Sequence, residues 1–348
     1  MSELEDRNLS GIEVLPPPAE LKRSRPVSPD LRAQVTGARD AIRDLLHGRD
    51  PVRLLAITGP CSLHDPASAL EYAGRLRGLA DELDDRLMIV MRTYFEKPRS
   101  TIGWKGLVND PQLDGSCHVA EGLAVARDLL LDIGELGLPC ATEFLDPITP
   151  QYLADGVCWA AIGARTAESQ THREMASGLS MPVGIKNGTD GGFKVAIEAM
   201  KAAGHPHSFL GIRSDGTAAV VKTKGNADVH VVLRGGRDLP NHDRETVEAV
   251  AKRVAERGVE RGVMVDCSHG NSFKDPSRQA AVLRDVASQV ADGAPGIVGI
   301  MLESHLKEGR QDWQPGERLE HGVSITDACI GFEETEALLR ELAAHVRI

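Results

Sequence analysis

Apolar positions in this chain recur with two different periods. Leu31, Val35, Ala38, Ile42 and Leu45 fall at three- and four-residue intervals, which predicts a helix with one apolar face. Ser28 suits its N-cap, Pro29 its first position and Gly48 its end. Upstream, the first 27 residues carry three consecutive prolines at 16–18 and a fourth at Pro26, which reads as an extended arm and not a core element. From residue 54 the pattern changes. Short apolar runs at 54–58, 87–91, 138–141, 158–162, 182–185, 229–233, 263–265 and 297–302 alternate with helix-like stretches such as 123–131 and 246–257. Runs that are apolar throughout, each followed by a helical pattern, predict buried parallel strands in βα units, an α/β class. Eight of them predict a closed (β/α)8 (TIM) barrel, with an open doubly wound sheet as the alternative. Between the fifth and sixth runs, Asp215-Gly216 joins two apolar stretches, so an inserted β-hairpin is expected at about 207–227. This divides the chain into an arm and helix (1–50) and a barrel (51–348). No internal repeat of 20–50 residues is visible.

Composition narrows the function. With 40 Lys+Arg against 51 Asp+Glu, the formal charge is −11, and aromatic residues make up only 3%. An acidic chain with few stacking rings is a poor nucleic-acid binder. No apolar run approaches the roughly 18 residues of a membrane span, and no basic amphipathic helix suggests a membrane surface. The polar, acidic start Met1–Gly11 is unlike a secretory signal, and the six cysteines form no CxxC pair, so reduced thiols in a cytoplasm are expected.

Chemistry gathers at the ends of the expected strands. Cys61 follows the first run, Arg92 the second, Glu143 the third, Arg165 the fourth, Lys186 the fifth and Arg234 the sixth; Asp266 and His269 follow the seventh, and Glu303 the eighth. In a parallel barrel these ends and their loops open on one face. Arg92, Lys97, Arg99, Arg165, Lys186 and Arg234 would then form a cationic set suited to a small phosphorylated carboxylate, or to two anionic ligands. Cys61, His269, Glu303 and Asp327 are the residue types that hold a divalent transition metal, with Cys267 as a rival thiol expected on the same strand face as His269. No GxG, GxxxxGK[ST], HExxH or GxSxG occurs, which removes support for nicotinamide, P-loop, zinc-protease and serine-hydrolase chemistry.

Long segments carry a more specific signal. GPCSLHD (59–65), MRTYFEKPRSTIGWKGLVNDP (91–111), AIGARTAESQTHRE (161–174), GIKNGTDG (184–191), VLRGG (232–236), DCSHGNS (266–272), ESHL (303–306) and SITDACIG (324–331) resemble class I 3-deoxy-D-arabino-heptulosonate 7-phosphate (DAHP) synthases. The resemblance implies a barrel enzyme that condenses phosphoenolpyruvate with erythrose 4-phosphate at the head of the shikimate pathway. It implies one divalent ion (Mn, Fe, Co or Zn) on Cys61, His269, Glu303 and Asp327. It places phosphoenolpyruvate against Arg92, Lys97, Arg165, Lys186 and Arg234 near Glu143, and the aldose phosphate against Lys97, Pro98, Arg99 and Ser100. Lys97 would supply a proton to the aldehyde oxygen and Glu143 would stand beside the attacking water. Ser100 stands where the family usually has Thr, and Gly270 where Ala is commoner.

The resemblance further implies a homodimer or homotetramer whose arm and hairpin build a feedback site for an aromatic amino acid, at positions matching Pro150, Gln151, Ser180, Phe209, Gly211 and Val221. Gly211 replaces a Ser frequent in Phe-sensitive relatives and leaves room for a phenol hydroxyl, which favours tyrosine. Three rival readings remain open: a Schiff-base aldolase using Lys186, a silent paralogue that senses aromatic amino acids, and a sister synthase for another phosphorylated aldose.

Overall fold

The computed structural model describes residues 4–346. The arm is irregular to Pro17 and then forms α1 (Pro18–Ser24), with Leu21 buried. This corrects the extended reading of the arm: Pro18 occupies the first helical position, where its fixed φ suits the helix and its missing N–H is no loss. Then comes α2 (Pro29–Leu46), where Ser28 Oγ accepts a hydrogen bond from the Leu31 amide at 3.2 Å and Pro29 opens the helix.

The βα rhythm follows as β1 (Leu54–Gly59), α3 (Pro66–Leu83), β2 (Leu87–Arg92), α4 (Val119–Glu135), β3 (Cys140–Glu143), α5 (Thr149–Leu153), β4 (Trp159–Ile162), α6 (Gln170–Gly178), β5 (Val183–Lys186) and α7 (Lys194–Ala203). After the hairpin strands β6 (Ser208–Ile212) and β7 (Ala218–Lys222) it resumes with β8 (Val229–Leu233), α8 (Arg244–Ala255), β9 (Val263–Asp266), α9 (Gln279–Ala291), β10 (Ile297–Glu303) and α10 (Phe332–His345). Eight strands close in the order β1-β10-β9-β8-β5-β4-β3-β2, all parallel, so the closed barrel prevails over the open sheet. Every residue of these strands is buried, which explains their unbroken apolar runs: both faces are covered.

The N-terminal mouth of the barrel is closed by α2. Arg39 Nη2 donates to the Val157 carbonyl ahead of β4 at 2.8 Å, Arg43 pairs with Asp228 ahead of β8 at 2.7 Å, and the Leu46 carbonyl accepts from the Arg261 amide ahead of β9 at 2.9 Å. Within the barrel, Trp159 Nε1 donates to His230 Nε2 at 2.8 Å. Gly184 lies against that ring, where a Cβ would come 2.2 Å from Trp159 Cζ2, so only glycine admits the tryptophan.

The hairpin pairs Phe209 with Val221 and Gly211 with Ala219, and turns at Gly216 with φ of 82°. It is tied to the arm, because the Ala19 amide donates to the Ser214 carbonyl at 2.8 Å. The arm is tied to α5 in turn, because Tyr152 Oη donates to the Pro16 carbonyl at 2.9 Å. Among the described residues no helix is long and apolar enough to cross a membrane, and none of the six cysteines is in a disulfide.

Candidate active site

The strand ends deliver their chemistry to one place. Arg92, Glu143, Lys186, Asp266 and Glu303 are the last residues of β2, β3, β5, β9 and β10, while Cys61, Arg165, Arg234 and His269 lie within three residues of their strands. A cavity of about 140 Å³ at this mouth is lined by all six expected cations, Arg92, Lys97, Arg99, Arg165, Lys186 and Arg234, together with Pro98, Glu143, His269 and Asp327. Ser100 faces an adjoining hollow that shares Arg165, Arg234 and His269.

Arg92 is fully buried; its Nη2 donates to Glu303 Oε1 at 3.1 Å and its Nη1 to Met301 Sδ at 2.8 Å. Lys97 Nζ donates to the Cys61 carbonyl at 3.0 Å and lies 3.2 Å from Cys61 Sγ. Burial alone would lower the Lys97 pKa, but Cys61 and Glu303 outweigh it and raise it above the ordinary value, so the side chain is an ammonium at neutral pH. Lys186 Nζ is 3.5 Å from Asp266 and 3.9 Å from Glu143. Glu143 Oε1 is buried with no hydrogen-bond partner among the described residues, an acceptor left facing the cavity. Gly163 makes room for it, since a Cβ there would sit 2.4 Å from Oε1.

The expected metal set is brought together in part. One ligand atom each from Cys61, Glu303 and Asp327 lie within 4.8 Å of one another. His269 stands just outside that tight group, its Nε2 3.6 Å from Glu303 Oε1. Its ring is oriented from behind: Nδ1 lies 2.9 Å from Asp266 Oδ2 and 2.7 Å from Ser268 Oγ, the arrangement that frees Nε2 for a ligand role. A thiol, an imidazole and two carboxylates suit a first-row divalent ion. Burial, with Glu303 adding, pushes the Cys61 thiol up to about 11. Burial opposes the ionisation of Asp327, but His269, Lys97 and Lys274 hold its pKa below the usual carboxylate value.

Cys267 does not join this group. β9 ends at Asp266, so the strand alternation that would align Cys267 with His269 has stopped, and Cys267 Sγ is buried against the Val265 carbonyl at 3.9 Å. Sequence reasoning missed two side chains. Tyr94 lines the cavity. Glu96 is buried and joins the segment carrying Lys97 to the loop after β3, accepting from the amides of Leu145 at 3.3 Å and Asp146 at 3.1 Å and from Thr149 Oγ1 at 3.2 Å. β2 ends at Arg92, so strand alternation gave no signal for Tyr94.

Of the expected effector residues, Phe209 and Val221 pair across the hairpin with Gly211 on their inner side, where a Cβ would meet Val221 Cγ2 at 2.7 Å. Pro150 and Gln151 are on α5, and the Ser180 carbonyl, just beyond α6, accepts from Arg43 at 2.9 Å.

The sequence of residues 27–340 matches the family model for the DAHP synthetase I family. The phospho-2-dehydro-3-deoxyheptonate aldolases of Escherichia coli K12 are similar over nearly the whole length: the Tyr-sensitive one is 54% identical, covering 97% of this chain and 95% of the relative, and the Phe-sensitive one is 54% identical, covering 99% and 97%. The solved structure of phospho-2-dehydro-3-deoxyheptonate aldolase from Francisella tularensis SCHU S4 superposes with a TM-score of 0.93 at 46% identity, covering 97% of this chain and 98% of that one. This chain therefore belongs to the DAHP synthetase I family.

Proposed function

We propose that the protein is a 3-deoxy-7-phosphoheptulonate synthase, which joins phosphoenolpyruvate, erythrose 4-phosphate and water to give DAHP and phosphate. The observation that carries this reading is the convergence of six cations on one cavity of an acidic protein, beside the Cys61, Glu303 and Asp327 group. Two phosphorylated substrates repel each other, and a fixed cationic cavity removes that repulsion while holding the reacting carbons close. Arg92, Arg165, Lys186 and Arg234 bind the carboxylate and phosphate of phosphoenolpyruvate, and Lys97, Pro98, Arg99 and Ser100 receive the aldose phosphate. C3 of the enol attacks the aldehyde carbon, forming the new C–C bond. The aldehyde oxygen takes a proton from Lys97, whose ammonium form its neighbours favour. Water adds at C2 beside the unpartnered Glu143 oxygen, which accepts a proton, and phosphate leaves with cleavage of its bond to C2. Cys61, Glu303 and Asp327, with His269, would hold a divalent ion, which when bound supplies Lewis acidity towards the aldehyde oxygen.

The test is phosphate release from both substrates together, with and without a chelator. Release that needs both substrates and stops on chelation is expected. Chelator-resistant turnover, with borohydride trapping a keto substrate on Lys186, would favour the Schiff-base alternative.

Feedback inhibition by an aromatic amino acid, tyrosine in preference, is the second part of the proposal. It is supported by the hydrogen bonds that tie the arm to both the hairpin and α5, the elements that carry the matching positions other than Ser180. Leu210, 87% exposed on the hairpin's outer face, suits burial against a second subunit in a homodimer or homotetramer. Titrating activity with tyrosine, phenylalanine and tryptophan decides the effector.

A further inference from the structure

Three cations of the cavity surround one aromatic ring. Arg92 Cζ is 3.9 Å from the Tyr94 ring centroid, Lys186 Nζ 5.7 Å and Lys97 Nζ 5.9 Å. The ring is buried, 1% exposed, so solvent does not screen these contacts. Among the described residues its hydroxyl makes one weak hydrogen bond, 3.9 Å to Met301 Sδ, whereas the ring meets all three cations. Lys186 in particular is held by no short bond: its two carboxylate partners are 3.5 and 3.9 Å away. A tight ion pair would fix Lys186 at the cost of neutralising it towards an incoming anion, as Glu303 partly does to Arg92 at 3.1 Å. A π face attracts a cation without consuming its charge.

We propose that Tyr94 is a positioning residue: its ring gathers Arg92, Lys186 and Lys97 around one centre, and holds Lys186 there with its charge free for the anionic groups of a phosphorylated carboxylate. This rests on the reading of the cavity as the phosphoenolpyruvate site, and it adds a residue whose work is done by its quadrupole and not by a polar atom.

The test is steady-state kinetics on the metal-loaded full chain. Tyr94→Phe keeps the ring and is expected to leave KM for phosphoenolpyruvate within about threefold of the parent. Tyr94→Leu is expected to raise that KM by about tenfold or more, with a smaller change in kcat. A Leu variant can fail for reasons of packing alone. A graded series at position 94 (phenylalanine, difluorophenylalanine, pentafluorophenylalanine) therefore keeps the shape and drains the π face. Phosphoenolpyruvate affinity, measured by calorimetry, is expected to fall stepwise with fluorination. An unchanged affinity across the series overturns the proposal, as does a Phe variant as impaired as the Leu variant. Absence of turnover and of phosphoenolpyruvate binding in the parent protein would instead remove the functional reading beneath it.

Discussion

Arg92 and Glu303 form a buried ion pair, 3.1 Å apart, on the boundary between the cationic cavity and the cysteine–carboxylate group. Each side chain thus belongs to two neighbourhoods: Arg92 to the anion site, Glu303 to the candidate ion site. Removing one partner of a buried pair costs about 3–5 kcal/mol, because the other charge is left uncompensated. Arg92→Ala is expected to lose stability on that scale. A divalent ion would then take over the compensation of Glu303, so Mn²⁺ should stabilise the variant more than the parent. Urea unfolding of both proteins with and without Mn²⁺ measures this. Equal stabilisation of the two would separate Glu303 from the ion.

Two thiols just past the ends of β1 and β9, the strands on either side of β10, are distinguished by their surroundings. Cys61 Sγ stands among Lys97, Glu303 and Asp327, whereas Cys267 faces its own strand's backbone. Loading with Co²⁺ is expected to produce a thiolate-to-metal absorption band. Cys61→Ala should abolish the band and the activity, while Cys267→Ala should keep both. A band that survives in Cys61→Ala and vanishes in Cys267→Ala would exchange their roles.

What the chain spelled out and what it hid separate along physical lines. The barrel was legible because strands buried on both faces must be apolar throughout, and α2 because its buried face recurs at helical spacing, Leu31 to Leu45. The cationic set was legible because the direction of a parallel strand fixes which end its charged residue occupies. The α1 helix was hidden by prolines that read as extended, although Pro18 starts it. The place of Cys267 was hidden because alternation applies only within a strand, and β9 stops one residue earlier. The work of Tyr94 and Glu96 depends on groups distant in sequence, Lys186 for one and Thr149 for the other, and no local pattern encodes it.

His230 makes the barrel interior sensitive to acid. It is fully buried, its Nε2 accepts from Trp159, and its Nδ1 has no partner among the described residues. Burial lowers its pKa from 6.5 to about 4. The unfolded chain therefore binds the proton first, and stability falls as the pH drops from 6.5 towards 4. At 1.4 kcal/mol per pKa unit the full loss is about 3 kcal/mol. His230→Gln retains an acceptor for Trp159 and does not charge in this range. Its unfolding midpoint in urea is expected to fall less steeply than the parent's between about pH 7 and pH 4.5. Parallel curves would show that His230 is not the group protonated.

Glu96 acts in the opposite sense over much the same range. Its carboxylate is buried, and burial pushes its pKa up to about 7 against the opposing pull of the Asp146 and Leu145 amides, with the Asp146 charge adding to the rise. A carboxyl whose folded pKa lies above its ordinary value of 4.5 stabilises the fold most in acid, and that contribution is lost as the pH rises through 7. The full contribution is about 3 kcal/mol. Glu96→Gln cannot ionise, so the parent should lose stability relative to the variant as the pH rises from about 5 to 8. Gln also presents an NH₂ where two backbone amides and Thr149 Oγ1 require acceptors, so the loop after β3 should lose its hold on the Lys97–Ser100 segment. The kinetic consequence is a raised KM for erythrose 4-phosphate at every pH, with a smaller rise in KM for phosphoenolpyruvate, because Lys97 alone of the phosphoenolpyruvate cations lies on that segment. A stability difference independent of pH would mean that Glu96 is ionised throughout, held so by its amide donors despite the burial.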